Sequence, residues 1–340
     1  MANSQGYTGL IAISFGTRPE WIKIKPLVDF FHGKLEFRLI FTGQHTDLLT
    51  NLPSNLDINK INISQGSNRL DSIVESVLNQ EEIWEGVTSV MVQGDTTSAF
   101  SVALAAFHRK IKVIHLEAGL RTYDKSQPYP EEFNRQAISR IADIHLCPTE
   151  TSKAFLTEEK TQGRIEVVGN TVLDNIIDVE SSYTNRVVVT MHRRENHKNL
   201  DEWFAQLDNL ARLHKGLEFV IPLHPNPNVQ KHAHVLKNFT VISALEYEDF
   251  IELMSKARFV ITDSGGLQEE TSFLNKKCIV CREKTERLEG LGTFAFLCPS
   301  PSDLPLLFDM VNVDYEINLK SPYGDGMSAK RVYEVIRDEV

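Results

Sequence analysis

Short apolar runs alternate with stretches of helical periodicity along most of the chain. Leu10–Phe15 reads as a strand, Glu20–Phe31 as an amphipathic helix with a kink expected at Pro26, and Phe37–Phe41 as the next strand. Further strands are predicted at Ser89–Val92, Lys112–His115, Ile144–Cys147, Ile165–Val168, Arg186–Thr190, Glu218–Pro222, Thr240–Ile242, Phe259–Thr262 and Lys277–Val280. Helices fill most of the gaps. Such β-α alternation implies α/β architecture, with parallel sheets covered by helices on both faces.

The pattern breaks after Val168-Gly169-Asn170, where a second strand–helix series begins. A chain of 340 residues is also longer than one core comfortably fills. The reading is therefore two doubly wound Rossmann-like domains facing a cleft, over 1–169 and 170–322. A C-terminal helix within 323–340 is expected to pack back on the first domain.

Composition narrows the partners. Hydrophobic and charged contents of 41% and 24% are ordinary for a folded globular protein. A formal net charge of −10 argues against nucleic acid or an anionic membrane, both of which need a basic footprint, while local Arg and Lys still permit a small anionic ligand. Met1–Thr8 lacks the basic start of a signal peptide, and no apolar run reaches membrane-spanning length. A cytoplasmic location is expected, in keeping with four cysteines read as reduced thiols. Cys278 and Cys281 have metal-knuckle spacing, but no second pair completes four ligands, so no metal is assigned.

Candidate chemistry gathers where strands end. Thr262-Asp263-Ser264-Gly265-Gly266 follows a strand and opens a Glu-rich helix start, a pattern that suits a pyrophosphate and equally an ordinary βα turn. Glu270 is placed to accept from ribose hydroxyls, and Arg287, after the next strand, to offer a forked cation to phosphate; a surface charge is the alternative for each. Arg18, in Gly16-Thr17-Arg18-Pro19-Glu20, works against the helix dipole, which favours a ligand role, and Lys23 adds positive charge. Asp95 in Gln93-Gly94-Asp95-Thr96-Thr97 either caps the next helix or faces the cleft. Glu117 ends the following strand, and Glu131 and Glu132 open the helix that carries Arg135. Acids sharing one cleft repel, which raises at least one pKa toward that of a general acid. His192 and His224 each follow a strand directly, a position more often functional than structural. Walker, Gly-x-Gly-x-x-Gly and Gly-x-Ser-x-Gly motifs are missing, which leaves kinase, nicotinamide-enzyme and serine-hydrolase readings without support.

Together these stretches resemble the UDP-N-acetylglucosamine 2-epimerase family. The resemblance runs in family order through Gly16–Glu20, Thr42-Gly43-Gln44-His45, Gly94–Thr97, Glu117–Thr122, Pro130–Arg135, Pro148-Thr149-Glu150, Gly169–Asp174, His192–Glu195, His224–Pro227, Asp263–Glu270, Thr285-Glu286-Arg287 and Pro322–Gly326. It implies a glycosyltransferase-B-like fold, a homodimer, and a reaction on a UDP-sugar that needs no redox or metal cofactor. By position it implies Asp95, Glu117 and Glu131 in proton transfer and His224 as the essential histidine near the pyrophosphate. Arg18, Ser264, Gly265, Gly266, Glu270 and Arg287 match UDP-binding positions, with Lys23, Arg135 and His192 in support. The pattern departs at Leu288-Glu289-Gly290, where the family usually shows Pro-Glu-Ala, at Gln230, where many bacterial members carry arginine, and around Asn51–Asn59. A hydrolysing relative, a 2-epimerase of a modified UDP-sugar for surface polysaccharide, a glycosyltransferase of similar fold and a silent nucleotide-sugar binder are the competing readings.

Overall fold

The computed structural model describes residues 9–44, 56–64 and 66–339. The expectations for 1–8, for His45 and for the first part of the loop at 51–59 fall outside the described residues. The chain divides into two compact units, one formed by Met1–Asn175 with Gly326–Val340, the other by Ile176–Asp325.

The first unit carries β1 (Leu10–Phe15), α1 (Arg18–Phe31), β2 (Phe37–Phe41), β3 (Ile58–Lys60), α2 (Arg69–Leu78), β4 (Val87–Gln93), α3 (Thr97–His108), β5 (Lys112–Leu116), α4 (Glu131–Ser139), β6 (Ile144–Cys147), α5 (Glu150–Glu158) and β7 (Arg164–Val167). Its strands form a seven-stranded parallel sheet in the order β3-β2-β1-β4-β5-β6-β7. Alternation along β1 divides its side chains between two cores. Ile11, Ile13 and Phe15 pack with Trp21, Ile24, Leu27 and Phe31 of α1, whereas Ala12 joins Val90, Val92 and the α3 residues Val102 and Ala106 on the other face. Both faces are thus buried, which is why these strands read as continuous apolar runs. Helix α1 runs unbroken across Pro26.

The second unit follows with β8 (Arg186–Thr190), α6 (Leu200–Leu213), β9 (Glu218–Leu223), α7 (Pro227–Gln230), β10 (Thr240–Ser243), α8 (Tyr247–Ser255), β11 (Phe259–Thr262), α9 (Leu267–Phe273), β12 (Cys278–Val280), β13 (Ala295–Leu297) and α10 (Leu304–Val313). Six parallel strands take the order β10-β9-β8-β11-β12-β13. Val187, Val189, Phe219, Ile221, Phe259 and Ile261 meet Trp203, Phe204 and Leu207 of α6 and Phe308 of α10 in its core. The last helix, α11 (Ser328–Ile336), belongs to the first unit. Its Ala329, Val332 and Ile336 join the α1 core, and Asp174 accepts its first N–H groups, Ser328 N at 3.1 Å and Ala329 N at 2.8 Å.

Strands β3 and β13 were not expected from sequence. Each has three residues and lies at a sheet edge, so neither builds enough periodicity to register against its surroundings.

One core histidine has a measurable consequence. His115, at the end of β5, is fully buried and donates from Nε2 to Gly94 O at 2.8 Å, pinning the turn after β4. Burial is the main reason its pKa falls from 6.5 to about 3. The folded state therefore holds it neutral while the unfolded chain takes up a proton below about pH 6.5. Its contribution is complete above the unfolded value and is lost as pH falls from about 6.5 toward 3, with a limiting slope of about 1.4 kcal/mol per pH unit. Urea unfolding at pH 7 and pH 5 should show a stability loss for the wild type that is smaller in His115→Gln. An identical pH dependence in both proteins would show that His115 carries none of it.

Candidate active site

In each sheet the strand order reverses once, between β1 and β4 in the first and between β8 and β11 in the second. Loops diverge at the carboxyl ends of such strands and leave a crevice, the usual ligand position in open α/β sheets. The predicted site residues lie on these loops and their immediate neighbours.

In the first unit the loop after β1 closes on itself. Glu20, only 3% exposed, accepts from Gly16 N at 2.8 Å, Thr17 N at 2.7 Å, Thr17 Oγ1 at 2.9 Å and Thr96 Oγ1 at 2.5 Å. Burial is the largest influence on its carboxyl and pushes the pKa up, against these donors. With Thr17 as N-cap this makes a capping box, so the loop's own carboxylate takes the N–H groups that an anion would otherwise meet. Arg18, half-buried, is the first residue of α1, and Lys23 lies about one turn further along the helix.

After β4, Gly94 takes a left-handed φ of +68°, and a Cβ there would stand 3.4 Å from Glu117 Oε2. The cap of α3 is Thr96, whose Oγ1 accepts from Ala99 N at 3.1 Å, so Asp95 does not serve as the cap. Its carboxylate instead meets Arg135 Nη2 at 2.5 Å, and its carbonyl accepts from Asn134 Nδ2 at 2.9 Å. Asp95 keeps 22% of its side chain exposed while Arg135 keeps 4%, which leaves the acid as the accessible member of the pair.

Glu117 follows β5 at φ +63°, a left-handed backbone uncommon for a residue with a side chain and met often at functional sites. Lys23 Nζ reaches both its oxygens, at 2.5 and 2.6 Å, from α1. Gln93 Nε2 donates to Oε2 from the end of β4, and Asn170 Nδ2 lies 3.4 Å from Oε1. The expected repulsion between cleft acids is thereby offset, since Asp95 and Glu117 each face a cation. Of the two acids that open α4, Glu132 is fully buried and ties down the preceding loop, accepting from Thr122 N and Tyr123 N, each at 3.0 Å. Glu131, the first residue of α4, is partly exposed.

The second unit arranges its loops around Asp263, which is fully buried. Its carboxylate accepts from His192 N at 3.0 Å, Arg193 N at 2.9 Å and Asn196 Nδ2 at 3.1 Å, fixing the loop after β8. The His192 ring stacks on His224 with centroids 5.2 Å apart and planes 15° apart. His224 Nδ1 accepts from Asn226 N at 3.1 Å, so the neutral ring carries its proton on Nε2, a hydrogen-bond donor suited to an anionic oxygen. Burial lowers the pKa of both rings, more than the nearby Asp263 carboxylate raises it.

Around the Ser264-Gly265-Gly266 turn, Gly265 is enclosed by charge. A Cβ there would stand 2.9 Å from Glu286 Oε1 and 3.2 Å from Nη1 of both Arg282 and Arg287. Gly266 has ordinary helical angles, φ −62° and ψ −38°, and, its chain neighbours and own helix backbone apart, a Cβ there would meet nothing within 4 Å among the described residues. Neither backbone nor packing demands glycine at 266, whereas a ligand lying against the turn would. Ser264 N donates to Thr262 Oγ1 at 2.9 Å. Glu270 is 5% exposed, and its charge, after burial, helps push the neighbouring Tyr247 hydroxyl up. Arg287, 6% exposed, directs Nε to Glu269 Oε1 at 3.0 Å and Nη1 to Glu286 Oε1. Arg282 bridges Glu286 and Glu195, binding Glu195 Oε1 through Nε at 2.8 Å.

The fold thus joins Lys23 of α1 to Glu117 and Arg135 of α4 to Asp95 within the first unit. In the second it brings together His192 with His224, and Gly265 with Arg287. Sequence reasoning passed over Gln93, Asn170, Glu20, Asp263, Glu269, Arg282 and Glu286. Their signal is weak, because buried amides and acids resemble turn or surface residues until their partners are known.

The family described as UDP-N-acetylglucosamine 2-epimerase matches residues 31–337. A protein of that name from Campylobacter jejuni is 36% identical across 96% of this chain and 97% of its own. The structure of UDP-GlcNAc 2-epimerase from Neisseria meningitidis bound to UDP-GlcNAc superposes with a TM-score of 0.87 at 31% identity, covering 97% of this chain and all of that one. The S. aureus MnaA–UDP co-structure gives 0.86 at 31% identity, covering 97% and 96%. No helix among the described residues is long and apolar enough to cross a membrane. With two doubly wound parallel sheets, the clustered acids and these likenesses along its length, the chain belongs to the UDP-N-acetylglucosamine 2-epimerase family of enzymes.

Proposed function

We propose that the protein inverts C2 of a UDP-2-acetamido sugar, converting UDP-N-acetylglucosamine to UDP-N-acetylmannosamine without hydrolysis. The observation that carries this reading is the pairing of Glu117 with Lys23 and of Asp95 with Arg135, on successive loops at the switch point of one sheet. A proton leaves C2 for an enzyme carboxylate, its electron pair forms the C1–C2 double bond, and the C1–O bond breaks as UDP departs with acid assistance. The 2-acetamidoglucal then regains a proton on the opposite face of C2 while UDP re-adds at C1. Atoms and charge balance with no oxidant, reductant or water consumed.

The N-terminal Rossmann-like domain supplies the proton-transfer groups Asp95, Glu117 and Glu131, positioned by Lys23 and Arg135, with Arg18 toward the nucleotide. The C-terminal domain retains UDP through His192, His224, Ser264, Gly265, Gly266, Glu270 and Arg287. The Nε2–H of His224 and the open face at Gly266 support that role. A homodimer in the cytoplasm completes the reading; four buried, free cysteines agree with a reducing compartment.

Incubation with UDP-N-acetylglucosamine in deuterated water, followed by NMR, tests it. Deuterium at C2 with accumulating UDP-N-acetylmannosamine is expected. Free N-acetylmannosamine with UDP would make the enzyme a hydrolysing relative, and no exchange would overturn the assignment for this sugar. Retention of UDP is tested separately by Gly266→Val. Because no other described residue beyond its chain neighbours and own helix backbone lies within 4 Å of the new Cβ, thermal stability should change little. UDP affinity measured by calorimetry should fall by about tenfold or more, the factor that corresponds to about 1.4 kcal/mol.

A further inference from the structure

Glu117 is held by side chains from three other parts of the first unit. Lys23 supplies the charge. The two amides supply direction. Gln93, 3% exposed at the end of β4, donates through Nε2 to Glu117 Oε2. Asn170, also 3% exposed and just after β7, has its orientation determined independently: Oδ1 accepts from Val172 N at 3.1 Å, which turns Nδ2 toward Glu117 Oε1 at 3.4 Å. That second contact is long and correspondingly weak. A lysine alone would leave the carboxylate free to rotate beneath a flexible point charge. Amide donors on both oxygens limit the rotation, and they favour the acceptor form over the protonated one.

We infer that Gln93 and Asn170 are positioning residues for the C2 proton transfer, holding the Glu117 carboxylate in the orientation in which it exchanges a proton with substrate. The inference rests on the epimerase reading above. Gln93 carries the larger share, because the Asn170 contact, at 3.4 Å, is the weaker of the two. Neither residue touches the reacting atoms, so each acts through Glu117.

The test is a double-mutant cycle on the full-length enzyme, read by C2 deuterium exchange and steady-state kinetics. Gln93→Met keeps the length and removes the donor. It should lower kcat by about tenfold or more, bounded by the roughly 10²–10⁴-fold that a proton-transfer group itself supplies, with KM changed by less than about threefold. In a Glu117→Gln background the same change should cost almost nothing further, because the group it orients is gone. Asn170→Asp keeps the acceptor for Val172 N and sets a carboxylate beside Glu117. It should also lower kcat, and its effect should likewise shrink in the Glu117→Gln background. Equal losses in both backgrounds, or a loss confined to KM or to thermal stability, would overturn the inference by showing a merely structural role. Wild-type enzyme that exchanges no deuterium at C2 would instead bring down the epimerase reading and this inference with it.

Discussion

Replacing Glu117 with glutamine is expected to lower turnover by roughly 10²–10⁴-fold, the range contributed by a well-placed proton-transfer group. The carboxylate lies beneath Lys23 and beside Gln93 and Asn170, all of which present donors. A glutamine satisfies such a set with one oxygen only and turns its own amide hydrogens toward at least one of these donors. It also cannot take up a proton at the pH of the assay. The backbone at residue 117 should hold, because Ala118 N donates to Leu146 O at 3.1 Å independently of the side chain. The variant should therefore remain folded and still bind UDP, whose proposed partners, Arg18 apart, lie in the other unit. Measured kcat and the rate of C2 deuterium exchange should fall together. A variant that keeps turnover within threefold of wild type would remove Glu117 from the proton-transfer groups and shift that role to Asp95 and Glu131.

The largest stability effect is expected at Arg287. Arg287→Met should destabilise the protein by about 3–5 kcal/mol, the usual cost of leaving a buried ion pair without one partner. Its guanidinium meets Glu269, whose side chain is 1% exposed, and Glu286, at 4%. Arg282 also contacts Glu286 at 3.3 Å and offers it partial compensation. Adding Glu269→Gln should recover part of the stability by removing the buried charge that has lost its Arg287 partner. Urea unfolding, followed by circular dichroism, checks both steps. A single variant that loses less than about 1 kcal/mol would show that the cluster is accessible to water, where ion pairs contribute little.

The two expectations also separate the parts of the protein that sequence makes legible from those it does not. Strands such as Leu10–Phe15, Ile144–Cys147 and Phe259–Thr262 can be read directly, because burial on both faces requires a continuous apolar run. The loops that carry chemistry can be located for a related reason: in a parallel sheet they lie at the carboxyl ends of the strands, so Asp95, Glu117, His192 and His224 fall where chain order alone places them. What each side chain does there is another matter. Asp95 and Thr96 are both acceptable helix caps in isolation, and only the Ala99 N–H bonded to Thr96 Oγ1 decides between them. Glu131 and Glu132 are equally good first-turn acids, yet the rotation of about 100° between adjacent helix positions turns Glu132 onto the Thr122 and Tyr123 amides. Glu20 opens the helix predicted over Glu20–Phe31, and nothing local reveals that it accepts from Thr96, 76 residues away.

Sequence by itself thus determined the α/β class and the loops on which its candidate chemistry was sought, because periodicity and burial are local properties of a strand or helix. Tertiary structure alone decided the pairing of Lys23 with Glu117, Arg135 with Asp95 and Arg287 with Glu269, since electrostatic and hydrogen-bond partners are chosen by distance in space, and those partners lie 94, 40 and 18 positions apart along the chain.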